Sequence, residues 1–486
     1  MPKNVTHTDR RWLSLALLAI LGLTLWRVAL LPFSGIDLFV DESQYWLWGR
    51  ELAFGHYSKP PMIGWVIRAT TFLTGAEEGF DIRLALPILH GLTAVLILIL
   101  AEELVDLPTA AVAAISYATL PAVSLGSILV STDTPMLFFL AAALVCWVKL
   151  RAAPSLGGAL LLGACLGLGM MSKYAMAYVF VGLGLVVALV PTWRIALRDG
   201  VVALLVAGLV VLPNVLWNLQ HDMATLRHTA DNAAWQGLQL NWGNALRFLA
   251  EQFAVAGPLV FAAILAQILF LRRTWEDEDT RALLLLALPA LTVVLVQALI
   301  SRAYANWAVG SYVAGVVLAA VWLSHRAPRL MIASLVINGL IALALPVAVT
   351  QAETLRRPDG VLLLKRHLGQ EAISRRALDA ARELGLDVIV AHDRGLLADL
   401  FYRTRDGGPS IYSLPLRNPV PHHYALLYPI PPGLDRPMLY LTFSGQARAC
   451  DDPAVEQREV LGWTAGPGTA EGQRLSLLQV PPGCWN

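Results

Sequence analysis

"VVALLVAGLVVLPNVLWNL", Val201 to Leu219, contains no charged residue. A run of about 18 or more apolar residues reads as a membrane-crossing helix, because roughly 20 residues at helical rise span the hydrocarbon. "AAALVCWV" at 141–148 repeats the pattern. Composition agrees: 57% of the chain is hydrophobic and 15% charged, against about 25% charged in an average soluble domain. The net charge of +1 exerts no bulk pull on nucleic acid.

Working outward, about eleven such stretches are expected, with cores at 13–32, 84–102, 108–125, 134–150, 156–171, 174–191, 200–218, 252–271, 282–300, 306–324 and 329–348. The opening "MPKNVTHTDRRWLSLALLAILGLTLWRVALLPF" has the basic front and apolar core of a signal peptide. Its apolar stretch is long, no small-residue cleavage site stands out and more spans follow, so it reads as a retained first helix.

The positive-inside rule orients the spans. Lys3, Arg10, Arg11, Lys149, Arg151, Arg194, Arg198, Arg272, Arg273, Arg281, Arg326 and Arg329 fall in short segments on one side, taken as cytoplasmic. The loop "AEELVDLP" joins that side despite Glu102, Glu103 and Asp106, because acidic residues count little in the rule. The other side receives residues 33–83, residues 219–251 and everything after about 350. The 219–251 segment mixes Trp, Asn, Gln and His, which suits an interfacial helix or a pocket rim. From 351 to 486 the pattern changes to amphipathic helices and short apolar strands such as Val388–Val390. That predicts a small extramembrane α/β domain of roughly 130 residues.

Four cysteines are present. Cys146 and Cys165 lie in apolar spans and read as buried small hydrophobes. Cys450 and Cys484 lie in the polar tail. They are either two free thiols or, outside the cytoplasm, a disulfide closing a loop of about 35 residues. No CxxC or His/Cys spacing suggests structural zinc.

Polar residues on the non-cytoplasmic side carry the chemical signal. Asp41 and Glu42 follow the apolar "GIDLFV". They read as a pair opening an interfacial helix, as a general base at a lipid-facing cavity, or as both. In "HYSKPP", Pro60 pushes Lys59 out of the helical region, giving a stiffly presented ammonium for a lipid phosphate or a headgroup. Asp133 in "VSTDTP" reads first as a helix cap with Pro135 in the first turn. Lys173 sits between two apolar stretches with almost no loop, so it must snorkel, pair or line a wet cavity. His221, Asp222, Arg227 and His228, then Arg302, Tyr304, Asn306 and Trp307, share that side. Together they suit an anionic lipid substrate; the bland alternative is a polar rim without a common pocket.

"DESQYWLWGRELAFGHYSKPP" resembles the first external loop of bacterial glycosyltransferase family 39, relatives of protein O-mannosyltransferases and lipid A aminoarabinose transferases. The matches are Asp41, Glu42, Tyr45, Trp46, Tyr57, Lys59, Pro60 and Pro61. "SKYA", "LPNVLWN" with "TLRH", and "YANWA" resemble later elements in the right order, over roughly residues 10–325. The resemblance implies an α-helical polytopic GT-C fold for a catalytic membrane domain over 1–350; the tail after 350 resembles no family, and its reading as a periplasmic α/β domain over 351–486 rests on its own pattern and on the side of the long loops. The resemblance also implies an inverting glycosyltransferase in a bacterial inner membrane, taking a sugar from a polyprenyl-phosphate donor to an envelope hydroxyl on lipid A, another glycolipid or a protein. By the same resemblance Asp41 is the base or acceptor-orienting group, Glu42 assists it, and Lys59 meets the donor phosphate. Tyr57, Asp133, Lys173, Arg227, His228 and Tyr304 are the further substrate-binding candidates.

Some relatives carry an acidic residue linked with a metal just before the lysine. Here it is Ser58, which leaves a divalent metal open, and no cofactor is assigned. No nucleotide-binding loop is present, as expected for a pre-activated donor. The competing class is a transporter or flippase of a lipid-linked sugar. It would be signalled by two related halves, and no such repeat is visible.

Overall fold

The computed structural model describes residues 7–233, 240–414, 420–452 and 455–485. Lys3 of the basic front and residues 234–239 of the expected 219–251 loop lie outside them. The chain divides into two compact units: Met1–Pro32, Ala53–Ala76 and Phe80–Pro346 form one, and Phe33–Leu52, Glu77–Gly79 and Val347–Asn486 the other. The expected break near 350 therefore falls at 346, and the first half of the first external loop joins the C-terminal unit.

The first unit is helical. Among the described residues, six helices are long and apolar enough to cross a membrane: Asp9–Phe33, Gly79–Leu104, Asp133–Ala152, Leu197–Gln220, Glu278–Ile300 and Pro328–Thr350. Shorter apolar helices include Met62–Thr74, Leu107–Thr119, Leu156–Ser172, Tyr174–Leu189 and Pro258–Leu269. Two expected spans are broken where the sequence allows it. Helix Leu107–Thr119 stops at Leu120, whose φ of −52° and ψ of 136° leave the helical region, because Pro121 follows. A second break falls at Gly257, with φ of 85°, between Trp242–Ala256 and Pro258–Leu269.

Small residues set the closest packing. A Cβ on Gly163 would lie 2.5 Å from the Ala203 carbonyl oxygen, and one on Gly167 would lie 2.6 Å from Val210 Cβ. Glycines four apart let Leu156–Ser172 approach Leu197–Gln220 at backbone distance, the packing that membrane helices use where no hydrophobic drive exists between them.

The loops expected on the cytoplasmic side meet at one end of this unit. Arg151 Nη1 lies 2.7 Å from Asp279 Oδ1, Trp193 Nε1 donates to the same oxygen at 2.7 Å, and the Arg151 guanidinium covers the Trp193 ring at 4.8 Å. His325 lies 3.7 Å from Asp106, placing the acidic "AEELVDLP" loop beside the 325–329 loop. Asp106 also caps its own helix, accepting the Thr109 N–H at 2.9 Å.

The second unit holds a five-stranded sheet: β1 Val388–Ala391, β2 Ser410–Ser413, β3 Met438–Phe443, β4 Arg458–Thr464 and β5 Arg474–Val480. The order is β2-β1-β3-β5-β4. β1 is parallel to both β2 and β3, while β5 runs antiparallel to β3 and β4. β1 is buried along its whole length, as a central parallel strand covered on both faces should be. Helices Gln370–Glu383 and Arg394–Arg403 flank it in sequence. Cys450 and Cys484 form a disulfide across a separation of 34 residues, with Cys484 and Trp485 in the core beside Tyr440 and Val480. Cys146 and Cys165 are free and buried, as read from the sequence.

Candidate active site

The helix break after Ser172 presents Lys173. That residue takes extended backbone, φ −160° and ψ 135°, between Leu156–Ser172 and the short turn Tyr174–Met176. Its Nζ donates to Asp133 Oδ1 at 2.7 Å, and the two side chains are only 16% and 12% exposed. Asp133 opens helix Asp133–Ala152, where the macrodipole favours a carboxylate. It is not the cap expected from "VSTDTP": the cap position is Thr132 and makes no side-chain bond. The Asp133 carboxylate is drawn away instead, taking Asn306 Nδ2 at 3.1 Å and Ser131 Oγ at 3.0 Å besides Lys173.

This ion pair stands between two cavities of the first unit. A cavity of about 510 Å³ is lined by Lys59, Lys173, Tyr174, Tyr178, Gln297 and Trp307 with the apolar Val293, Val296 and Ile300. A cavity of about 900 Å³ is lined by Asp133, Asn306, Tyr304, Arg302, Arg247, Glu251 and His90 with Leu125, Leu129, Ile341 and Leu345. Each combines apolar and polar lining, as a site for an amphipathic molecule would.

The Lys59 segment is held by groups the sequence reading did not single out. Asn214 Nδ2 donates to the Phe54 carbonyl at 2.7 Å, and Thr225 Oγ1 donates to the His56 carbonyl at 2.6 Å. His56 N–H donates to the Lys59 carbonyl at 3.2 Å, closing the turn that carries the lysine. Tyr174 hydroxyl donates to Asn214 Oδ1 at 2.7 Å, and Asn218 Nδ2 donates back to that hydroxyl at 3.3 Å. The signal was present: two asparagines one turn apart in an otherwise apolar helix must face a polar partner. A Cβ on Gly55 would come 2.4 Å from the Trp217 ring. "AFGHYSKPP" is thus packed directly on "LPNVLWN".

The other candidates are distributed unevenly. The Tyr57 and His228 rings meet at 5.1 Å. Tyr304 lines the larger cavity and not the smaller one that holds Lys59 and Lys173, and it packs edge-on at 5.3 Å against Trp307, which lines the smaller. Arg227 is exposed and is not among the residues lining either cavity. Ser58 is buried, and among the described residues no three His, Cys, Asp or Glu side chains gather where they could hold a metal. The described donors therefore do not fit a bound metal.

Asp41 and Glu42 belong to the second unit, on helix Val40–Arg50. Glu42 is buried, and its Oε2 accepts the Phe39 N–H at 2.9 Å, tying down the start of the helix. Asp41 is 41% exposed and pairs through Oδ1 with Arg394. The buried neighbours include His423, which takes the Trp48 Nε1–H at 3.3 Å.

The chain is similar to known proteins along nearly its whole length. A curated relative, the lipid A galacturonosyltransferase RgtD of Rhizobium johnstonii, is 40% identical over 469 residues, covering 96% of this chain and 98% of that one. The chain belongs to glycosyltransferase family 39. Residues 58–217 match the model of the dolichyl-phosphate-mannose-protein mannosyltransferases. The structure of ArnT from Cupriavidus metallidurans bound to undecaprenyl phosphate superimposes with a TM-score of 0.66 at 13% identity, covering 98% of this chain and 99% of that one. The apo form gives 0.60 at 14% identity, with 99% of each chain covered. The family-39 chain therefore has the GT-C fold of ArnT, with a C-terminal sheet domain, and is a multi-pass membrane glycosyltransferase.

Proposed function

We propose that this enzyme moves a uronic acid from a polyprenyl-phosphate carrier to a hydroxyl of lipid A on the periplasmic face of a bacterial inner membrane. The observation that carries the reading is the Lys173–Asp133 pair between two amphipathic cavities, one of them also lined by Lys59. Lysines beside an apolar wall suit a phosphate on a prenyl chain. The larger cavity, lined by Arg247, Arg302 and Tyr304 together with Glu251 and Asp133 and an apolar wall, has room for a bulkier amphipathic lipid. The name of the rhizobial relative supports galacturonate and lipid A as sugar and acceptor, and the ArnT complex supports a polyprenyl phosphate.

The chemistry is a single displacement. The acceptor oxygen attacks the anomeric carbon, its proton passes to a carboxylate assigned to Asp41, and the bond from the anomeric carbon to the phosphate oxygen breaks. Configuration at that carbon inverts. Lys59 and Lys173 offset the charge that develops on the departing phosphate, and the base contributes the typical 10²–10⁴-fold of positioned proton transfer, an order-of-magnitude figure of about two to four powers of ten.

The test is a comparison of lipid A by mass spectrometry from cells with and without the gene, then with the gene carrying Asp41→Asn. Loss of one uronic acid residue in the absence of the gene, and in the variant, is the expected result. Lipid A identical in all three strains would sink the reading.

A further inference from the structure

The second unit is built so that the C-terminal domain grips the first-loop helix. Asp37 Oδ2 accepts the N–H groups of Gln370 and Glu371 at 2.9 and 3.3 Å, at the N-terminus of helix Gln370–Glu383. Trp46 packs edge-on against Tyr402 at 5.1 Å, and Trp48 bonds His423. Arg50 donates to the Arg405 carbonyl at 3.1 Å. Helix Val40–Arg50 is thereby anchored before its start, in its middle and at its end.

Within that grip one residue addresses Asp41 itself. Arg394 is the first residue of helix Arg394–Arg403, which starts after the two residues that follow β1, and Asp393 caps that helix by accepting Gly395 N–H at 2.8 Å and Leu396 N–H at 3.0 Å. Its Nη2 pairs with Asp41 Oδ1, and its Nε donates to Gln44 Oε1 at 2.9 Å. Asp41 and Gln44 are three apart on one helical face, so a single planar guanidinium spans the turn that presents the carboxylate. Lysine, a point charge, cannot reproduce that two-pronged contact. The next residue is Gly395, where a Cβ would come 2.8 Å from Gln370 Nε2 and 3.5 Å from Val40 Cγ2. The start of this helix thus lies against Gln370 and Val40.

We propose that Arg394 is a positioning residue for glycosyl transfer: the C-terminal domain supplies it to fix the rotamer and place of the Asp41 carboxylate. The proposal rests on Asp41 being the base. The Arg394 and Asp41 side chains are 37% and 41% exposed, so the pair adds little to stability, and the buried anchors hold the helix without it. Its value lies in geometry, because an ångström of misplacement of a catalytic group costs far more in rate than in folding.

The experiment uses membranes with the full chain at matched levels, polyprenyl-phosphate galacturonate as donor and lipid A as acceptor. Arg394→Gln is expected to lower kcat by about 10²-fold, with KM for the donor moved by less than about twofold. Arg394→Lys keeps part of the loss. Millimolar guanidinium restores Arg394→Ala while leaving the parent enzyme and Arg382→Ala, on the exposed face of a neighbouring helix, unchanged. A parental kcat in Arg394→Gln, or a loss confined to KM, overturns the proposal. If the truncations fail to insert, Arg394→Lys carries the test, and a parental kcat there overturns it equally. Asp41→Asn separates the two readings. An inactive Asp41→Asn beside a fully active Arg394→Gln removes the positioning role alone, while an active Asp41→Asn removes the base.

Discussion

Lys173 Nζ stands 2.7 Å from Asp133 Oδ1, yet the lysine lines the smaller cavity and the aspartate the larger. The pair is the shared wall of the two proposed substrate sites. Removing one partner leaves the other charge poorly hydrated. Lys173→Met and Asp133→Asn are each expected to cost about 2–3 kcal/mol, somewhat below the about 3–5 of a fully buried pair. Both should depress transfer. The double variant should be less destabilised than the sum, with a coupling of at least about 1 kcal/mol. Unfolding midpoints of the four proteins in detergent check this, and strict additivity would show that the two charges do not depend on each other.

Lys59 offers a sharper functional contrast. It lines the same cavity as Lys173 and sits on a turn closed by the His56–Lys59 backbone bond. If it meets the departing phosphate, Lys59→Ala should lose about 10²–10³-fold in kcat, as for other single groups stabilising developing charge. Lys59→Arg should retain part of the rate. A headgroup anchor would behave otherwise: kcat would hold and membrane insertion would suffer. Steady-state rates alongside protease protection distinguish the two.

The disulfide ties Cys484, in the core of the sheet domain, to Cys450. Closing a loop of that length restricts the unfolded chain and stabilises by about 3–4 kcal/mol in the entropic account. Cys484→Ser, or a strong reductant, should lower the stability of this unit by that amount and leave the helical unit alone. Hydrogen exchange resolved by unit measures both. Equal loss in the two units would contradict the expectation.

Much of this was legible because charge in lipid is informative. Lys173 had to pair or line a cavity, and it does both. Lys59 was readable as a stiffly held cation for a different reason, the two prolines that follow it. Asp133 was misread because a cap is a local solution, and local pattern does not show a lysine 40 residues away and an asparagine 173 away competing for the same carboxylate. Asn214 and Asn218 were overlooked inside an apolar run whose charge count was zero, although uncharged amides carry the same cost of burial. Arg394 lay beyond reach of any periodicity: its partner is 353 residues distant. The broken spans at Pro121 and Gly257 were written in the residues, but hydropathy averages over them.

The sheet domain should lose stability as pH falls from neutrality. His423 is buried at 1% exposure, and burial, then the adjacent Arg394 charge and His422, lower its pKa to about 3. It therefore stays neutral in the native state, as the acceptor for Trp48, while the unfolded chain binds a proton near 6.5. Between those values the unfolded state holds the extra proton, so native stability falls with pH by up to about 1.4 kcal/mol per unit. Burial lowers His422 as well, which adds to the slope. Asp37 and Asp399 act oppositely: burial raises both above 3.8, so the native state takes their protons first and gains stability as pH drops through their range. The histidine window opens at the higher pH. Stability should therefore decline from about pH 6.5 and flatten as the aspartates begin to protonate. Hydrogen exchange of the Val388–Ala391 amides in the full chain, corrected for the intrinsic rate at each pH, reads the change. His423→Phe should remove its share of the slope. A profile flat from pH 7.5 to 5, by that measure, would mean that the native imidazole takes up its proton as readily as the unfolded one and does not serve as the acceptor of the Trp48 Nε1–H, an indole N–H being able only to donate.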